Sequence, residues 1–244
     1  MAGRPSLPWW KPTTKTWIHV ALALPLAALI ARGVFEYFEI DFLGGLGVNP
    51  IETGIRNLGD WALRILILAL AVTPARRILK RPQIARYRRM IGLWAFAYVV
   101  LHMVGFVVVD QLGDWANIWK EIVKNKFITI GMAGFVLLIP LAVTSTNGMI
   151  RRLGAARWKM LHKLVYVIGI CGAIHYLWMA KSIKLQPGLG AIVDYLWIVV
   201  SRVHQPPIYA AIVAILLGLR LWWWSKARIA ANASSMPQPA RRAG

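Results

Sequence analysis

The stretch WKMLHKLVYVIGICGAIHYLW (158–178) is apolar enough to cross a membrane, yet it carries two histidines, His162 and His175, thirteen residues apart. An imidazole in hydrocarbon is costly unless it is bonded to something. The stretch therefore reads as a transmembrane helix with a task, and the rest of the chain fits that reading. Of its 244 residues 58% are hydrophobic and 13 are Trp, which is too apolar for an ordinary soluble domain.

Segments near 17–35, 55–73, 90–109, 127–144, 160–180 and 206–224 can each span a hydrocarbon core of about 30 Å, which takes roughly 17–25 residues. Lipid-exposed backbone must satisfy its own hydrogen bonds, so these spans are helices. The predicted fold is all-α: a polytopic membrane protein with a six-transmembrane-helix bundle. The first segment reads as a retained helix and not a secretory signal, because Arg32, Gly33 and Val34 make a poor cleavage site.

The net charge of +20 suggests nucleic acid until the charges are placed. Basic residues cluster in the N-terminal tail (Arg4, Lys11, Lys15), the loop 73–89 (Arg76, Arg77, Lys80, Arg81, Arg86, Arg88, Arg89), the loop around Arg151, Arg152, Arg157 and Lys159, and the C-terminal tail (Lys226, Arg228, Arg241, Arg242). The opposite loops hold Lys120, Lys124, Lys126, Lys181, Lys184 and Arg202. Glu36, Glu39, Asp41, Glu52, Asp110, Asp114, Glu121 and Asp194 also lie on that side, and Asp60 is in the same half of segment 2. The positive-inside rule then puts both termini in the cytoplasm and accounts for the charge without a nucleic-acid partner. The expected organisation is a cytoplasmic tail over 1–16, a membrane domain over 17–224 and a disordered cytoplasmic tail over 225–244. An outer-face interfacial segment at about 186–204 contains the short apolar run 188–200. The single cysteine, Cys171, excludes an intrachain disulfide, and no internal repeat, Walker motif or cysteine cluster is apparent.

Of the five histidines, His204 sits in an outer loop and reads as solvated, and His19 lies at the cytoplasmic interface. His102, His162 and His175 lie within spans 3 and 5, and neutral imidazole is a common ligand for metals and haem iron. From Arg89 to His102 is about 20 Å of helix, and from Lys159 to His175 about 24 Å. The two lie at similar depth in the outer half, as two axial ligands of one haem would. His162 lies near the cytoplasm, where its level on span 3 is occupied by Arg88 and Arg89. It is also roughly 140° around an ideal helix from His175. Sharing one seam with His175 would need a distortion, which Gly169 and Gly172 could permit. A second haem with an unusual partner, a flavin or a quinone headgroup all remain open for His162.

RRMIGLWAFAYVVLHM (88–103), LAVTSTNGMIRRLGAARWKMLHKLVYV (141–167) and IHYLWMAK (174–181) resemble the haem-binding membrane subunits of bacterial periplasmic methionine-sulfoxide reductase systems, within the ferric-reductase-like transmembrane family. The resemblance covers roughly residues 15–225, with Gly188–Gln205 standing as an insertion. It implies a place in the bacterial inner membrane, haem b, FMN, and electron transfer from membrane quinol to a periplasmic molybdopterin catalytic subunit, MsrP. It places the haem-linked histidines on His102, His162 and His175. Arg88 and Arg89 suit an FMN phosphate and serve equally as positive-inside anchors. Only about twenty residues follow Trp224, so no nucleotide domain of the kind ferric reductases carry is expected there. A stand-alone metal reductase or a proton-coupled transporter with histidine relays are the other classes; a b-type spectrum separates the last from the rest.

Overall fold

The computed structural model describes residues 13–40, 45–182 and 205–234. These form helices joined by short turns, with no strand among the described residues. Helix α1 runs over Thr14–Tyr37, α2 over Pro50–Ile78 and α3 over Arg88–Val104. A 3₁₀ turn, Pro82–Tyr87, leads into α3, and a π-helical turn, Gly105–Asp110, continues it. Then follow α4 (Trp115–Lys124), α5 (Lys126–Val143), α6 (Asn147–Leu153), α7 (Ala155–Leu161), α8 (Leu164–Ser182) and α9 (Gln205–Ser234). Six helical stretches are long and apolar enough to cross a membrane: Thr14–Tyr37, Pro50–Ile78, Pro82–Asp110, Lys126–Val143, Ala155–Met179 and Gln205–Ile229.

Local chemistry sets the boundaries. Thr13, Asn49, Asp114 and Thr146 cap their helices through side-chain oxygens. Asn49 and Glu52 add a reciprocal side-chain bond of 3.1 Å, with Pro50 in the first turn of α2. Gly154 separates α6 from α7 at φ 75°, a left-handed value at which a side chain would be strained.

Helix α2 is the centre of the bundle, touching α1, α3, α8 and α9. Ala62, Ile65, Leu66, Ala69 and Val72 on α2 pack with Ile91, Ala95 and Tyr98 on α3, Leu138 and Leu141 on α5, and Ile168 on α8. Tyr98 is 1% exposed; its hydroxyl donates to Leu22 O at 2.8 Å and accepts from Leu26 N at 3.0 Å on α1. Elsewhere the bundle is inverted relative to a soluble protein. Leu24, Ile30, Val136 and Ile215 all face outward, as lipid contact requires.

Pro74 interrupts α2 without breaking it. Proline has no N–H, so the Leu70 carbonyl loses its donor four residues on. Arg220 of α9 supplies the replacement, its Nη2 donating to Leu70 O at 2.6 Å, while Nη1 donates to Tyr166 Oη. Within a membrane span this repair replaces a bond that water cannot provide.

Three features differ from or add to the sequence expectations. The distortion in span 5 falls at His162–Lys163, where amide bonds tighten to three-residue spacing (Lys163 N to Met160 O, Tyr166 N to Lys163 O). Helix α8 runs on through Gly169 and Gly172, whose missing Cβ atoms instead make room for Leu70 and Leu63 of α2. The loop 111–126 contains an amphipathic helix, α4, with Ile118 buried and Trp115 and Trp119 exposed. Finally, α9 continues past 224 to Ser234. The interfacial segment expected near 186–204, His204 among it, lies outside the described residues.

Candidate functional site

His102 sits in the last turn of α3, immediately before the π-helical turn, a helix irregularity common at functional sites. His175 sits in the second half of α8, beside the start of α5. Their ring centres are 6.3 Å apart and the ring planes cross at 77°. The Nδ1 of His102 lies 2.8 Å from Ile55 O on α2, and the Nδ1 of His175 lies 2.6 Å from Phe127 O on α5. A carbonyl only accepts, so each Nδ1 carries the proton and each Nε2 keeps a lone pair. No hydrogen bond to either Nε2 occurs among the described residues.

Two glycines make room for the rings. Gly59 on α2 lies under His102, and a Cβ there would come 3.1 Å from its Cε1 and 3.2 Å from its Nδ1. Gly131 on α5 lies under His175, where a Cβ would come 2.7 Å from Nδ1 and 2.9 Å from Cε1. Each ring bonds the carbonyl four residues before its glycine. Ile55, Gly59 and His102 thus recur as Phe127, Gly131 and His175, with 47 residues from carbonyl to ring in the first set and 48 in the second. The sequence showed no repeat, because only the positions around this seat repeat. The glycines were also missed; the available signal was a glycine in the middle of a helix, where it is intrinsically unfavourable.

The histidines line a cavity of about 490 Å³, within the roughly 300–1,000 Å³ usual for cofactor sites. Its inner walls are apolar, with Leu63, Leu66 and Leu138. One end of it carries Glu52, Arg56, Asp110 and Glu121, so it reaches the acidic end of the bundle. Arg56 is the only Lys or Arg in the lining among the described residues, and it pairs with Glu52. Two metal–imidazole bonds of about 2 Å each, plus roughly 1.1 Å from each ring centre to Nε2, would set two trans imidazoles about 6 Å apart. The measured 6.3 Å matches that spacing. No group of three His, Cys, Asp or Glu side chains gathers as a metal site among the described residues.

His162 is not part of this cavity. It stacks on Trp158 at 3.9 Å and 29°, with Nδ1 3.0 Å from Trp158 O and Nε2 3.3 Å from Ser145 Oγ. Trp158 Nε1 in turn donates to Thr144 O at 2.9 Å. The pair ties α7 to the turn just beyond α5, and Arg88 is a charged neighbour of the ring. Arg88 Nη1 reaches Thr73 Oγ1 at 3.4 Å and Arg89 Nη1 reaches Asn147 Oδ1 at 2.6 Å. His19 accepts from Trp94 Nε1 at 2.8 Å. Arg64, four residues after Asp60, donates to Tyr209 Oη at 2.8 Å and Gln205 Oε1 at 3.2 Å. Arg220 drew no attention in the sequence; its signal was a lone cation inside an apolar span.

Residues 58–173 match the family described as ferric reductase like transmembrane component. Curated relatives extend the likeness over most of the chain. The protein-methionine-sulfoxide reductase heme-binding subunit MsrQ of Caulobacter vibrioides is 45% identical over 206 residues, covering 84% of this chain and 85% of its own. The protein of the same name from Ralstonia nicotianae is 47% identical, covering 84% and 83%. The one from Xanthomonas axonopodis pv. citri is 36% identical, covering 93% and 94%. No solved structure matches the chain. With relatives this similar over more than four-fifths of its length, the chain belongs to the MsrQ family of methionine-sulfoxide reductase heme-binding subunits, a ferric-reductase-like family of membrane proteins.

Proposed function

We propose that this protein is the electron-carrying membrane subunit of a periplasmic methionine-sulfoxide reductase, with haem b held between His102 and His175. The observation that carries the reading is the facing pair of imidazoles, each with Nδ1 committed to a carbonyl and Nε2 unclaimed. The cavity supports it further: apolar walls suit a porphyrin, and Arg56 offers a cation for its carboxylates. When bound, haem b supplies a one-electron carrier. The protein's part is to fix both axial ligands, exclude water from the inner cavity and hold the site near the acidic end.

The basic end is the cytoplasmic side, with both termini there, and the acidic end faces the periplasm of a bacterial inner membrane. The membrane domain corresponds to about 17–224 with short tails on either side. Electrons enter from membrane quinol at the basic end, where Arg88 and Arg89 are placed to hold an FMN phosphate by charge-assisted bonds. His162, beside Arg88, belongs to this entry side and not to the axial pair. Electrons leave toward the molybdopterin catalytic subunit, MsrP. There, two electrons and two protons convert methionine sulfoxide to methionine and water.

The test is a reduced-minus-oxidised spectrum of the purified protein, with haem and FMN quantified per chain. Wild type should show low-spin b-type bands that His102→Ala and His175→Ala each abolish. Bands surviving in both variants would overturn the axial assignment. A wild-type protein that reduces ferric chelates but never MsrP would point to a stand-alone metal reductase.

A further inference from the structure

Gly59 and Gly131 stand in the interiors of α2 and α5, where glycine costs about 1 kcal/mol relative to alanine. Neither has a positive φ, so conformational freedom does not explain them. Each instead lies directly under one imidazole. In a regular helix the amide of Gly131 bonds Phe127 O, and that of Gly59 bonds Ile55 O. These are the same two carbonyls that the histidines meet. A carbonyl has two lone pairs, and the ring takes the second only if it lies close beside the helix. A Cβ would lift the ring away. The same arrangement occurs at two places in the chain, on different helices, which argues against a packing accident.

We propose that Gly59 and Gly131 are positioning residues: by lacking a side chain they seat each imidazole on a backbone carbonyl, which fixes the Nδ1–H tautomer and leaves each Nε2 lone pair to a ligand. This rests on the reading of His102 and His175 as haem ligands. The hydrogen bond from Nδ1–H makes each ring a stronger electron donor, which favours ferric iron and lowers the reduction potential. Gly131 is the tighter seat, at 2.7 Å against 3.1 Å, so the two positions differ in a predictable order.

The experiment is a spectroelectrochemical titration of the full-length holoprotein carrying Gly59→Ala, Gly131→Ala or Gly169→Ala, with a thermal melt of each. Gly169 is the control, because its Cβ would meet Leu70 and not a histidine. Gly59→Ala should keep its haem and show a raised potential. Gly131→Ala should show a larger rise or lose the low-spin bands. Gly169→Ala should melt earlier at an unchanged potential. Should Gly131→Ala fail to load haem, the Gly59→Ala potential decides. A wild-type potential in Gly59→Ala, or an equal rise in Gly169→Ala, would overturn the proposal while leaving the haem reading intact. A colourless wild type would sink both.

Discussion

The rings of His102 and His175 cross at 77° with their centres 6.3 Å apart. Ring orientation is held by the Nδ1 bonds to Ile55 O and Phe127 O on two different helices, so it is set by the protein. If both rings ligate one iron, their near-perpendicular planes should keep two of the iron d orbitals almost equal in energy. The oxidised protein should then give a strongly anisotropic low-spin electron paramagnetic resonance signal. A rhombic signal typical of parallel rings would show that the seat rearranges on binding.

His162 stacks on Trp158 and bonds the turn beyond α5, so its removal should register as lost stability. For His162→Ala we expect a loss of about 1–3 kcal/mol, from the stack and the hydrogen bonds together. Trp158 emission should change, and the His102–His175 bands should persist. Reduction by a quinol analogue should slow. Disappearance of the b-type bands would instead make His162 an axial ligand.

The six spans were legible because their signal is long: roughly twenty apolar residues between charged loops. The common depth of His102 and His175 followed from helix rise alone, and the structure puts the two ring centres 6.3 Å apart. What the sequence did not reveal depends on neighbours. Gly59 and Gly131 look like any helical glycine until the ring above each is seen. Gly169 and Gly172 looked like points of flexure and are points of close packing, while the actual irregularity lies at His162–Lys163. Helix α4 was hidden because at ten residues it is too short to stand out from its charged surroundings.

Tyr98 is the largest fully buried side chain among the described residues, and its hydroxyl serves both a donor and an acceptor on α1. Tyr98→Phe leaves the ring in place and removes both bonds. The expected cost is about 1–2 kcal/mol, read as an earlier thermal melt in detergent. Because α1 makes few other contacts with the bundle core, protease cleavage near the N-terminus should also accelerate. An unchanged melt would mean that α1 is held chiefly by lipid.

Arg220 and Pro74 form a couple that a double-mutant cycle can expose. Arg220→Leu leaves Leu70 O without a donor and should destabilise by about 1–3 kcal/mol. Pro74→Ala restores a backbone N–H to that carbonyl. In the Pro74→Ala background the same Arg220→Leu change should cost less, by at least about 0.5 kcal/mol. Additive effects would show that Arg220 acts mainly through Tyr166.

The recurrence of carbonyl, glycine and ring has an architectural meaning. Helices α2 and α3 form one hairpin and α5 with α8 another, both running from the acidic end to the basic end and back. Each supplies the same three elements: Ile55, Gly59 and His102 from one, Phe127, Gly131 and His175 from the other. The cavity therefore lies between two helix pairs of like order, each of which contributes one ring. A flat guest lying between the halves would meet an imidazole from each, backed in both cases by a backbone carbonyl and a glycine.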